Sequence, residues 1–352
     1  MTSAGEVCVR RIYFRCPQCA AGGYALDERL GIQGRYSREA QRLICLAGAS
    51  WSYDVAAARL QELCGLQLSD TTVRELTQSQ GAAMGEWLRT APEVRSTFRE
   101  AAGDVEFTTD GTCVNTTEGW QEMKLALFSK RHPGPASTPQ DFAGRRLPAP
   151  HCRIAFAAIE GSQRFGSRWD QWAARLGIRD RAQITVVADG AKWIWEEARK
   201  NLIGAAGVLD FYHAREHIRQ AAHQLHGERT PAAAAWSEKA QQALLERGWH
   251  GIAHAIRDAQ QKPAQDGPRW NALSDLHNYL GQHVDHLNYA QRLQSGRSIG
   301  SGQVEGACKH CIGRRLKQSG ARWRPRRVNR MAQVCCLLYS HAWNSYWNCS
   351  PN

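Results

Sequence analysis

Three carboxylates sit where a sheet and a helix can bring side chains onto one cation. Asp110 follows the alternating run Val105-Glu106-Phe107-Thr108-Thr109, the pattern of a half-buried strand. Asp189 follows Gln183-Ile184-Thr185-Val186-Val187-Ala188, an apolar, β-branched run that reads as a buried parallel strand. Glu305 follows Ser301-Gly302-Gln303-Val304, in the first turn of a helix, where the helix dipole favours an acidic side chain. Carboxylates at the C-terminal ends of adjacent strands occupy the usual ligand position of open α/β sheets. Their hard oxygens suit Mg2+ or Mn2+.

The surroundings of Glu305 narrow the chemistry. Between Gly296 and Arg330 there are ten Lys or Arg and one acidic residue, so this segment carries about +9 of the chain's +12. An i,i+4 pair with Lys309 would be the plain role for Glu305, worth a few tenths of a kcal/mol. A metal ligand beside a surface that grips phosphates is the sharper one. Val304, Cys308, Cys311 and Leu316 fall on one helical face, with Lys309, Arg314, Arg315 and Lys317 supplying charge.

The string Gly302-Gln303-Val304-Glu305, then Cys308-Lys309, then Arg315-Leu316-Lys317-Gln318-Ser319-Gly320-x-Arg322-Trp323 resembles the C-terminal catalytic signature of bacterial insertion-sequence transposases of the ISKra type. These are DDE enzymes with an RNase H-like core. Asp189-Gly190-Ala191-x-Trp193-Ile194-Trp195 is similar to the same family, and the likeness runs from about residue 10 to 347. It implies that Asp110, Asp189 and Glu305 hold two Mg2+ (or Mn2+) ions, with Asp110 shared between them. Such ions stand about 3.5–4 Å apart, activate a water and clamp the attacking and leaving oxygens of a phosphodiester. The partners implied are DNA, both the element's ends and the target, and further copies of this chain in the active complex. Arg314, Arg315, Lys317, Arg322 and Arg324 are then expected on phosphates, with steep salt dependence, and Trp323 on a base or in the core.

The remaining chain fits around these residues. Residues 1–30 read as part of a zinc-ribbon-like module, because Val7 to Arg15 alternates into Cys16-Pro17-Gln18-Cys19, half the ligand set of a structural Zn2+ site. Relatives in the family carry a second such pair upstream, and here the amino end looks short. Residues 31–100 read as a helical DNA-binding region. A helix capped at Ser52 or Asp54 ends at Gly65, and a second, capped at Ser69 or Asp70, runs through Gln80. That is a helix-turn-helix pattern, with Thr71, Thr72 and Arg74 toward DNA.

Residues 101–217 hold the first part of the core: antiparallel strands from Val105, Trp120 and Arg153, a helix near Trp169, the Asp189 strand, and a strand from Gly207 to Tyr212. Asp210 is placed behind the site as a supporting group. His213-x-x-Glu216-His217 spells an inverted zinc-peptidase motif, but it follows a strand and matches the family's own run, so zinc hydrolysis is disfavoured. Residues 218–295, rich in Ala, Gln and Leu, read as a helical insertion. Residues 296–352 supply the catalytic helix and an apolar tail.

Composition agrees with this. Twelve irregularly spaced cysteines, several within apolar runs, read as reduced thiols, and no run is long enough to span a bilayer. The expectation is a cytoplasmic, nucleoid-associated α/β protein: an RNase H-like mixed sheet with a helical insertion, preceded by a helix-turn-helix-like region. Residues alone carry the reading only to a metal-dependent nucleic-acid enzyme. A catalytically silent DNA-binding descendant is the rival.

Overall fold

The computed structural model describes residues 1–2, 6–30, 32, 35–261 and 267–349, so parts of the expected segments 1–30, 31–100, 218–295 and 296–352 lie outside the described residues. A two-stranded hairpin, β1 (Phe14–Arg15) and β2 (Gly22–Gly23), opens the chain. Helices α1 (Ala25–Leu30), α2 (Arg38–Ser50), α3 (Tyr53–Cys64), α4 (Asp70–Thr90) and α5 (Pro92–Glu100) follow. Then come β3 (Asp104–Thr116), β4 (Gly119–Arg131), β5 (Cys152–Ala158), α6 (Ser162–Arg175), β6 (Ile184–Ala188), α7 (Lys192–Asn201) and β7 (Ala206–Leu209). The remainder is helical: α8 (Phe211–His226), α9 (Pro231–Gln260, kinked at Gly248), α10 (Pro268–Gly281), α11 (Tyr289–Gln294), α12 (Gly302–Ala307), a π-helical turn (Cys308–Gly313), α13 (Arg314–Leu316), α14 (Pro325–Tyr339) and α15 (Trp343–Asn348).

The protein is a mixed α/β structure around a five-stranded sheet of order β5-β4-β3-β6-β7. β3, β4 and β5 pair antiparallel, whereas β6 lies parallel to β3 and β7 parallel to β6. β-Branched and aromatic residues fill the strands, and Phe107, Phe128, Phe156, Phe165 and Trp169 meet ring to ring beneath them. Rings in such contact add about 0.5–1.5 kcal/mol per pair beyond the area they bury.

The helical amino-terminal region is packed onto this core. Ser37 and Ser69 cap α2 and α4 by accepting the backbone N–H of Ala40 and Thr72. α3 ends at Gly65, as the sequence indicated. α4 runs ten residues past Gln80, and that extra length lies on α14. The crossing is close because residue 81 is glycine: a Cβ there would stand 2.5 Å from the Arg330 carbonyl oxygen. Of the residues expected to face DNA, Thr71 is exposed, Thr72 bonds Ser69, and Arg74 lies 3.7 Å from Glu75.

Two strand boundaries differ from the sequence expectation. β3 does not end at Asp110-Gly111 but pairs with β4 through Thr116↔Gly119, and the turn falls at Thr117-Glu118. Gly111 is tolerated within the strand because only the flexible Glu122 side chain crowds it. β7 stops at Leu209, since Asp210 caps α8 rather than extending the strand. All twelve cysteines are free, and none of the described helices is long and apolar enough to cross a membrane.

Candidate metal centre

Strand register brings the first two carboxylates level. Phe107 pairs with Val186 across β3 and β6, and three residues beyond each lie Asp110 and Asp189. Equal offsets on parallel strands put the two side chains on the same face. The same count across β6 and β7, from Ala188↔Leu209, sets Asp210 beside Asp189. Three aspartates therefore stand side by side, Asp189 and Asp210 just past the ends of β6 and β7 and Asp110 within β3.

Each is held differently. Asp110 accepts the Gly111 N–H at 2.6 Å, and Asp189 accepts the Ala191 N–H at 3.0 Å. Asp210 is fully buried: Oδ1 accepts the N–H groups of Tyr212 and His213, and Oδ2 accepts the N–H and hydroxyl of Ser301. Four bonds use every lone-pair direction of a carboxylate. Asp210 thus ties the start of α8 to the start of α12.

Glu305 stands one turn after Ser301, exposed, and makes no hydrogen bond or ion pair among the described residues. The pair with Lys309 is therefore absent there. Its helix is fixed from a second side by Glu106, a buried carboxylate two strand steps before Asp110. Glu106 accepts bonds from Gln303, Ser298 and Arg131, so β3 itself grips the loop that delivers Glu305.

These positions interact electrostatically. The Asp110 carboxyl is pushed above the usual aspartate range, first by burial and then by the charges of Asp189 and Glu305, while Gly111 and His213 pull it down. Such crowding of carboxylates is relieved by a cation or a proton. Among the described residues, Asp210, His213 and Glu305 offer ligand atoms within 4.8 Å of one another, so a metal ion can be held here. The donor chemistry fits a hard divalent cation, with Glu305 uncommitted and Asp110 short of countercharge. Cys308 borders the site, but burial, then Asp110, pushes its thiol up to about 12, so it stays protonated and is no nucleophile.

Behind Asp189 the helical insertion makes a buried aromatic wall. Tyr279 packs against Gly190, where a Cβ would meet its ring at 2.3 Å, and His283 lies edge-on to Tyr279 at 5.7 Å. His286 stacks on Trp195 at 4.1 Å, and Trp195 donates to the Asp189 carbonyl. The His283 imidazole is lowered to about 4 by burial and then by His286. Because its folded value lies below the unfolded one, stability is complete above about pH 6.5 and is lost as the pH falls toward 4. On the order of 2 kcal/mol is expected to go over that window. Urea midpoints at several pH values, wild type against His283→Leu, should show a shallower acid dependence in the variant.

The basic segment divides in two. Arg314, Lys317, Arg322 and Arg324 are exposed. Lys317 donates to Thr112, the next residue after Asp110 on the same face of β3. Arg315, expected on a phosphate, is instead interior, and Trp323, expected on a base or in the core, lies in the core. Arg315 is 3 % exposed, donates from Nε to the Gly48 carbonyl at 2.7 Å, and lies over the rings of Tyr53 and Trp323. Trp323 is buried, its ring N–H bonded to Leu316, and its backbone bonds Asn115 and Thr117 of the β3 edge. Both residues fasten α13 to α2 and β3. The exposed indole of this end is Trp120, 70 % exposed at the β3–β4 hairpin.

Two motifs resolve without a closed site. In the inverted zinc-peptidase string, His217 stacks on Tyr279 at 3.8 Å and Glu216 turns to Arg219, leaving only His213 toward the acids. Cys16 and Cys19 share the hairpin turn, and the Cys16 thiol is lowered by the Cys19 N–H and then the Gln18 N–H. Among the described residues no third ligand joins that pair. No protein-family model and no curated protein matches this chain.

Proposed function

We propose that the chain is a DDE transposase of an insertion sequence, cutting DNA at the element's ends and joining them to a target. The single observation that carries this is the level placement of Asp110 and Asp189 on adjacent parallel strands, with Glu305 brought to Asp210, the next aspartate along the sheet. The strand order, three antiparallel strands followed by two parallel ones on the far side of the first, is that expected of an RNase H-like core, which supports the resemblance.

Asp110, Asp189 and Glu305 are the residues that would hold Mg2+ or Mn2+. Divalent ions bound there would supply a water made basic near neutral pH and neutralise the attacking and leaving oxygens. Lys317, exposed and bonded to Thr112 two residues from Asp110, and the exposed Arg314 are suited to the phosphates on either side of the scissile bond. Hydrolysis breaks the P–O3′ bond at the element's end, and the freed 3′-hydroxyl then attacks a target phosphodiester. Ser301, Gln303 and the buried Asp210 and Glu106 keep the Glu305 helix in place through both steps.

The test is nicking of duplex DNA carrying the element's ends, by the full chain with Mg2+ or Mn2+. Cleavage that EDTA abolishes and Zn2+ alone does not support is expected, with binding that weakens steeply as salt rises. Salt-sensitive binding without cleavage under any metal would favour the silent DNA-binding descendant. Absence of both would overturn the assignment.

A further inference from the structure

We infer that His213 supplies a nitrogen ligand to the ion held by Glu305, making the centre a mixed carboxylate–imidazole site that prefers Mn2+ to Mg2+. This rests on the metal-site reading above and deepens it. The imidazole lies with Glu305 and Asp210 in a group whose ligand atoms fall within 4.8 Å of one another. It is exposed and has no hydrogen bond, ion pair or ring contact of its own among the described residues. A histidine with no structural task, turned toward carboxylates, is available for coordination.

Its position is also fixed in advance. The His213 N–H is bound to Asp210 Oδ1 at 3.2 Å, and the same carboxylate receives Ser301 at the start of the Glu305 helix. One buried group therefore sets both the imidazole and the glutamate. Asp210 has spent its own oxygens on this task, so it is the member of the three least able to turn to a metal. The remaining donors of that group are one imidazole nitrogen of His213 and the oxygens of Glu305.

A nitrogen in that set changes the metal preferred. Mg2+ demands near-ideal octahedral oxygen coordination and sheds water reluctantly. Mn2+ accepts carboxylate oxygen and binds nitrogen sites without that restriction, at the weak end of the divalent affinity order. The other histidine of the string, His217, is turned away onto Tyr279.

Electron spin-echo envelope modulation of the full chain loaded with Mn2+ alone, without DNA, reads the ligand directly. Wild type is expected to show modulation from a coordinated imidazole nitrogen. His213→Gln should lose it while still binding Mn2+, about ten-fold or more weakly, the scale on which even outer partners of metal ligands act. His217→Gln should keep it. Mn2+ bound by wild type without nitrogen modulation, or modulation that survives His213→Gln, overturns this inference and leaves the carboxylate site standing. No Mn2+ binding by wild type overturns both.

Discussion

Asp110→Asn is expected to cut metal-dependent DNA cleavage by roughly 10^3-fold or more, since loss of a single preorganised charge-stabilising group already costs 10^2–10^3. The same change should make the metal-free protein slightly more stable. Burial, together with Asp189 and Glu305, raises the Asp110 pKa above its unfolded value, so the folded chain holds that proton more tightly. The associated stability is present below the unfolded aspartate value and is lost as the pH rises through the raised folded one. At neutral pH the ionised group is therefore a cost that asparagine removes. A gain of about 1–3 °C in melting temperature is the scale expected for a partly exposed group. Divalent metal reverses the comparison: at 100 times its Kd an ion bound only to the folded state adds about 2.7 kcal/mol, for wild type and much less for the variant. Melting curves with and without Mn2+ check both halves, and a variant that is less stable without metal would contradict the crowding of the three carboxylates.

Arg315→Ala is expected to cost about 3 kcal/mol or more, although the residue lies in the most basic segment of the chain. The truncation leaves the Gly48 carbonyl without its donor and opens space between Tyr53 and Trp323. A buried acceptor left unpaired costs about 1–3 kcal/mol, and a desolvated cation–π contact is worth about 2. Arg315→Lys should recover little, because an ammonium cannot both stack and reach as the planar fork does. Arg314→Ala, one residue away and exposed, should change stability by less than about 0.5 kcal/mol and lower the salt slope of DNA binding by about one. Chemical denaturation of the two variants separates a fastening arginine from a phosphate-facing one.

The contrast between Arg314 and Arg315 shows what was legible in the sequence. Arg315 lies four residues after Cys311 and seven after Cys308, on the apolar stripe of the same helix, so periodicity already pointed it inward. Its charge suggests a phosphate contact all the same, whereas Trp323, flanked by arginines, is compatible in sequence with either a base or the core. Asp189 was readable from a buried strand ending in an acid. Asp110 was readable in type, but not as a mid-strand residue, because Asp-Gly also writes a hairpin turn. His213 was visible only inside a motif that names a different chemistry. What separates it from His217 is the rotation of α8, set by the Asp210 cap, and no spacing rule gives that.

Long-range partners were the least legible part. Glu106 is one carboxylate among many in the sequence, yet through Gln303 and Ser298 it holds the loop that delivers Glu305 across nearly 200 positions, as the 197-residue separation from Gln303 states. The wall of Tyr279, His283 and His286 behind Asp189 likewise comes from the helical insertion, whose composition signals helix and nothing about what it faces.

Glu305, the uncommitted carboxylate in the basic segment, is the central residue of the proposed metal centre. Nicking of DNA carrying the element's ends, measured with Mg2+ and with Mn2+ for wild type and Glu305→Gln side by side, tests it. Cleavage by wild type that disappears in Glu305→Gln, with DNA affinity and circular dichroism retained, is the result predicted. Equal cleavage by both proteins would contradict the assignment of Glu305 to the metal centre.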